Sequence, residues 1–102
     1  MTRGSKQARV RTDLPRRFED LPNVGPAMAA DLRLLGLRTP ADLAGRDPYA
    51  LYARLQVVTR SAQDPCVLDT FLAVVDYVGG APRRPWWAYT AQRKRTLGTR
   101  RR

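Results

Sequence analysis

Histidine is absent from this 102-residue chain, cysteine occurs once, and lysine supplies only two of the 19 basic residues. With no histidine and one thiol, a zinc site or a histidine-dependent triad has almost no material to be built from. The lone Cys66 excludes an internal disulfide framework and suits a reducing cytoplasm. No apolar run approaches the roughly 18 residues that a membrane helix needs, and the N-terminus carries no signal-peptide pattern. Nothing in the patterning calls for β-strands. What remains is one small domain with tails, whose 43% hydrophobic content suits a modest single core.

Acidic residues are also scarce, nine in all, and their placement divides the chain. Residues 1–17 carry six basic side chains against Asp13, a net of +5. Residues 18–80 carry five arginines against Glu19 and seven aspartates, a net of −3. Residues 81–102 carry eight basic side chains and no acid, which completes the total of +10. Basic ends on a mildly acidic middle point to nucleic acid, because each neutralised phosphate releases counterions. A generic solvated tail, or arginine enrichment from a biased genome, would give the same composition.

Prolines punctuate the middle. Thr39-Pro40 with Asp42, Asp47-Pro48 and Asp64-Pro65 each place a capping side chain before a proline at the first helical position. The pattern predicts five short helices: Leu14 to about Leu21, Pro26 to Leu35 ended by Gly36, a one-turn connector over Thr39 to Ala44, Pro48 to about Val57, and Pro65 to Val78 stopped by Gly79-Gly80. Met28, Leu32 and Leu35 form one apolar stripe, and Leu51, Leu55 and Val58 another. In the last helix Val67, Leu68, Phe71, Leu72, Val74, Val75 and Val78 cover most of the circumference. Asp69, Ala73 and Asp76 then mark a narrow solvent stripe.

The turn Leu21-Pro22-Asn23-Val24-Gly25 feeds directly into the second helix. Gly25 is free to take positive φ, with Asn23 the next most tolerant residue. Pro26 is pre-set for the first helical position, although it removes one backbone donor. Outward-pointing amides at a helix N-terminus attract anions, phosphate above all. The expected contact set is Asn23, Val24, Gly25, Ala27 and Met28. Glu19 and Asp20 flank the turn and would repel phosphate unless turned away. A second turn over Gln56 to Gln63 has no glycine and reads as degenerate, with Arg60 as a subsidiary contact.

Leu21 to Arg38, Asp64-Pro65-Cys66-Val67-Leu68-Asp69-Thr70-Phe71 and the pair Trp86-Trp87, in that order, resemble a family of small bacterial helix-hairpin-helix proteins. That family is named for a pathogenicity locus, and some members are labelled mitomycin-resistance proteins. The resemblance spans about Leu14 to Tyr89. It implies an all-α tandem helix-hairpin-helix (SAM-like) fold with a degenerate second hairpin, and a connection to DNA. The chain departs from the usual DNA-binding hairpin at Asn23, where glycine is typical, and at Pro26 and Ala27, where a lysine often stands.

Cys66 lies in the first turn of a helix, where the dipole could lower a thiol pKa, but without a base nearby it reads as a buried structural thiol. Trp86, Trp87 and Tyr89, between Arg83-Arg84 and Arg93-Lys94-Arg95, read first as a lid on the core, since two adjacent exposed tryptophans invite aggregation. Their other reading is a base-stacking surface, with one indole buried and the other exposed as the mixed form. The expected layout is an arm without fixed structure over residues 1–13, a domain over 14–80, a Trp-rich segment packed on it over 81–90 and a basic tail over 91–102. The expected function is non-enzymatic, largely sequence-independent DNA binding. It would use the first turn plus Arg60, Arg83, Arg84, Arg93, Lys94 and Arg95, with no metal or cofactor. The alternative is a protein-interaction module of a DNA-repair or DNA-uptake complex, and a homodimer would pair two such turns. No membrane partner is expected.

Overall fold

The computed structural model describes residues 10–100, with side chains as far as Gly98. Four α-helices order the chain: α1 over Pro26–Leu34, α2 over Pro48–Thr59, α3 over Pro65–Val78 and α4 over Thr90–Arg100. Single 3₁₀ turns lie at Phe18–Asp20, Pro40–Leu43 and Trp86–Tyr89, and no strand occurs among the described residues.

The capping devices act as their residue types dictate. The carboxylate of Asp47 accepts the Tyr49 N–H, and that of Asp64 accepts the Cys66 N–H, each at 2.9 Å. Asp42 accepts the N–H groups of Arg38 and Thr39 at 2.9 and 3.0 Å. These donors favour the charged form and hold the Asp42 and Asp64 carboxyls below their usual range.

The expected first helix does not form. Arg17 and Leu21 are extended at ψ 145° and 149°, leaving one 3₁₀ turn between them. Pro22 disfavours helical backbone at Leu21, and a segment this short does not nucleate a helix by itself. Phe18, 1% exposed, docks the turn on the core. At the second turn, α2 runs on to Thr59, and Arg60 takes the left-handed conformation at φ 54° where glycine would be usual.

The main core gathers Phe18, Leu32, Leu43, Leu55, Phe71 and Val74 from five elements. As expected from its pattern, α3 is buried along most of its length. Most of its supposed solvent stripe is covered: Asp69 is 0% and Ala73 4% exposed, and only Asp76 is exposed. The cover is the Trp-rich segment, expected as a lid, together with a helix formed within the stretch expected as a basic tail. The 3₁₀ turn at Trp86–Tyr89 and α4 fold back over α3, placing Tyr89 and Leu97 in a second apolar cluster with Leu68, Leu72 and Ala73. Asp69 then receives Arg93 Nε at 2.9 Å, Arg93 Nη2 at 3.2 Å and Thr90 Oγ1 at 2.7 Å. Farther along, Asp76 accepts the Tyr89 hydroxyl at 2.6 Å and Arg84 Nη1 at 3.3 Å.

The N-terminal side is also tied down within the described residues. Arg11 donates its backbone N–H to the Val78 carbonyl at 2.8 Å and its Nε to the Tyr77 carbonyl at 3.0 Å, with the guanidinium 3.9 Å above the Tyr77 ring. The Arg11 backbone N–H thus satisfies the Val78 carbonyl, and its guanidinium brings a cation to the C-terminus of α3 at the Tyr77 carbonyl, which also accepts the Gly80 N–H. The expectation of an arm without fixed structure falls otherwise on residues 1–9, which lie outside the described residues.

Candidate nucleic-acid interface

The turn before α1 is built differently from its sequence expectation. Asn23, not Gly25, takes the left-handed conformation, at φ 69°. Gly25 is extended at φ −102° and serves as the N-cap of α1 with no side-chain acceptor. The first-turn N–H groups of Ala27 and Met28 have no acceptor within a helix, and Pro26 contributes none. The N-terminus of α1 therefore lacks the carboxylate cap that α2 and α3 carry. A Cβ built on Gly25 meets nothing within 4 Å, so the space in front of the turn is open.

The Asn23 side chain is engaged inward. Its Nδ2 donates to the Arg84 carbonyl at 2.8 Å, and its Oδ1 accepts the Trp86 N–H at 3.2 Å. This clamp brings the segment after α3 alongside the turn, forming a cleft of about 310 Å³ lined by Pro22, Asn23, Arg83, Arg84 and Pro85.

Of the expected contact residues, the structure gathers Asn23, Gly25, Ala27 and Arg83 around this turn and cleft, Gly25, Ala27 and Arg83 being exposed. Val24 is buried in the core, and Met28 packs half-buried against it. Arg84 lines the cleft but directs its guanidinium to Asp76 and Tyr89. Arg93 is withdrawn onto Asp69. Lys94 and Arg95 stand exposed on α4, and Arg60 is exposed at the far turn after α2.

Of the two acids beside the turn, Asp20 is exposed and Glu19 is neutralised. Glu19 accepts a two-pronged contact from Arg33 at 2.9 and 3.0 Å, and Arg17 approaches it at 3.7 Å. Arg33, reinforced by a backbone N–H, lowers the Glu19 pKa from 4.5 to about 2. Sequence reading missed this partner because the pair spans 14 residues and a turn, beyond any helical spacing. A depressed carboxyl stabilises the fold above its unfolded pKa and loses that contribution as acid protonates it. Stability should therefore decline as pH falls from about 4.5 toward 2. Thermal melts of Glu19→Gln should show a shallower decline over that window, and an unchanged pH profile would remove the pair from the account.

Cys66 is half-buried beside Asp64, which with burial pushes its thiol up rather than down. No three histidine, cysteine or acidic residues come together as a metal-binding group among the described residues, and no helix there is long and apolar enough to cross a membrane.

The model of the pathogenicity locus family (Cdd1) matches residues 11–95. Mitomycin resistance protein McrB of Streptomyces lavendulae is 44% identical over 77 residues, spanning 76% of this chain and 73% of that protein. No solved structure matches. The family match opens at Arg11 and closes two residues after Arg93, so it contains both ties that bind the chain ends onto α3.

Proposed function

This chain belongs to the pathogenicity locus family, and from that premise we propose that it is a non-enzymatic, largely sequence-independent DNA-binding protein. In this reading the turn before α1 is a helix-hairpin-helix phosphate contact. The observation that carries it is the meeting of an uncapped α1 N-terminus, open in front of Gly25, with a cleft that Arg83 lines. Free N–H groups and the helix dipole favour an anion there, and Arg83 adds a full charge. The neutralised Glu19 removes the repulsion that its position would otherwise impose. Lys94, Arg95 and the basic ends supply attraction without reading bases.

The test is fluorescence-anisotropy titration of labelled DNA over a salt series, using the full chain. Affinity should fall steeply with salt, and Arg83→Ala should reduce the slope by about 0.9 on duplex DNA, the worth of one phosphate contact. Gly25 is neither left-handed nor crowded, so Gly25→Ala should fold while its methyl obstructs the approach to the amides. A flat salt response, or binding indifferent to both substitutions, would instead leave the folded unit as a protein-interaction module.

A further inference from the structure

The segment that closes the cleft continues into an aromatic residue that the core does not use. Trp87 is 64% exposed, although the same 3₁₀ turn buries Tyr89 and half-buries Trp86. Its setting is firm. Trp86 packs edge-on against it, with centroids 5.6 Å apart and planes at 85°. The Trp86 N–H is held by Asn23, the Ala88 N–H by the Pro85 carbonyl at 3.0 Å, and the Tyr89 hydroxyl by Asp76. An indole is thus presented to solvent on a turn fixed on both sides, four residues after Arg83.

We infer that Trp87 is a stacking platform for an unpaired nucleobase, and that the protein takes DNA with single-stranded character in preference to intact duplex. This rests on the DNA-binding reading above and names the form of DNA. The occupant is argued from charge and geometry together. Residues 81–102 hold eight basic side chains and no acid; with Arg84 and Arg93 held by Asp76 and Asp69, the surplus that remains still favours a polyanion over an ordinary peptide. Asn23 joins the phosphate-contacting turn directly to the turn that carries Trp87. Backbone and base of one strand are thereby offered matching surfaces on neighbouring elements: amides and Arg83 for the phosphate, the indole for the base. Bases in an intact duplex are already stacked within it, so only an unpaired, flipped or terminal base can reach the ring.

The experiment measures binding of the full-length protein to a short oligothymidylate and to a blunt duplex of the same length, at one salt concentration. Intrinsic tryptophan fluorescence is followed alongside anisotropy. The expected result is tighter binding to the oligothymidylate with saturable quenching. Trp87→Ala should weaken that binding roughly 5- to 150-fold while leaving duplex affinity within about two-fold, and Trp87→Phe should retain most of it. Equal losses on both DNAs, or no loss on the oligothymidylate, would overturn the stacking role while leaving the phosphate contact standing. Failure of the wild-type chain to bind either DNA would overturn both readings. A protein-docking role for Trp87 falls under the second of these outcomes, since it predicts no change with the oligothymidylate.

Discussion

Arg93→Ala is expected to lower the melting temperature by at least about 12 °C, the largest effect of any single substitution considered on this fold. Asp69 is fully buried, and two of its three side-chain donors belong to Arg93. Removing the guanidinium leaves a desolvated carboxylate with Thr90 alone, and breaking a buried pair in this way costs about 3–5 kcal/mol. A domain of this size holds about 5–15 kcal/mol in total, so the loss is a large share of its stability. Arg93→Lys, which keeps the charge but not the fork, should fall between wild type and alanine. Replacing both partners together, Asp69→Leu with Arg93→Met, should recover much of the stability, because the cost lies in the orphaned charge rather than in the loss of attraction. Thermal denaturation followed by circular dichroism decides it. A melting temperature for Arg93→Ala within about 4 °C of wild type would mean that Asp69 finds water or another donor.

Asn23→Ala is expected to cost about 2–5 kcal/mol. Two hydrogen bonds contribute about 0.5–1.5 kcal/mol each, and left-handed backbone adds about 1–2 kcal/mol for a residue with an ordinary Cβ. Asn23→Gly keeps the backbone conformation and loses only the clamp, so it should be the milder change. The predicted order of melting temperatures is wild type, then glycine, then alanine. If glycine matches wild type, the contacts with Arg84 and Trp86 contribute nothing. If alanine matches glycine, the φ of 69° carries no strain. Both variants should also shift the tryptophan emission, because the clamp holds the turn that carries both indoles.

Helices α1, α2 and α3 were legible in the sequence because their starts are chemically loud. Proline fixes φ at the first position, and Asp47 and Asp64 each supply a cap that needs no tertiary partner. The Trp-rich part of the C-terminal cover was read as a lid, whereas α4 was not legible as a helix, because it is polar by composition and draws its order from α3. Its signal was present but faint. Thr90, Arg93 and Leu97 share a face at three- and four-residue spacing, and Asp69 interrupts the apolar run of α3 opposite them. An aspartate there reads equally as a solvated stripe until a second element is known to lie over it. At the candidate site, the turn and its uncapped helix were legible, whereas the placement of Arg83 and the pairing of Glu19 with Arg33 depend on contacts distant in sequence. The roles of Gly25 and Asn23 were exchanged. Both tolerate positive φ, and only the partners of the Asn23 side chain decide between them.

The Asn23 clamp also sets an order of events during synthesis. It joins residues 61 and 63 positions apart, whereas α2 and α3 are near neighbours in the chain and can pack as soon as both emerge. Contacts of such long sequence separation form late, since the intervening chain must first be ordered. A nascent chain that has released α3 but not Trp86 can assemble most of its core while Asn23 still lacks both acceptor and donor. The turn before α1 is then completed only once the segment after α3 has emerged and folded back.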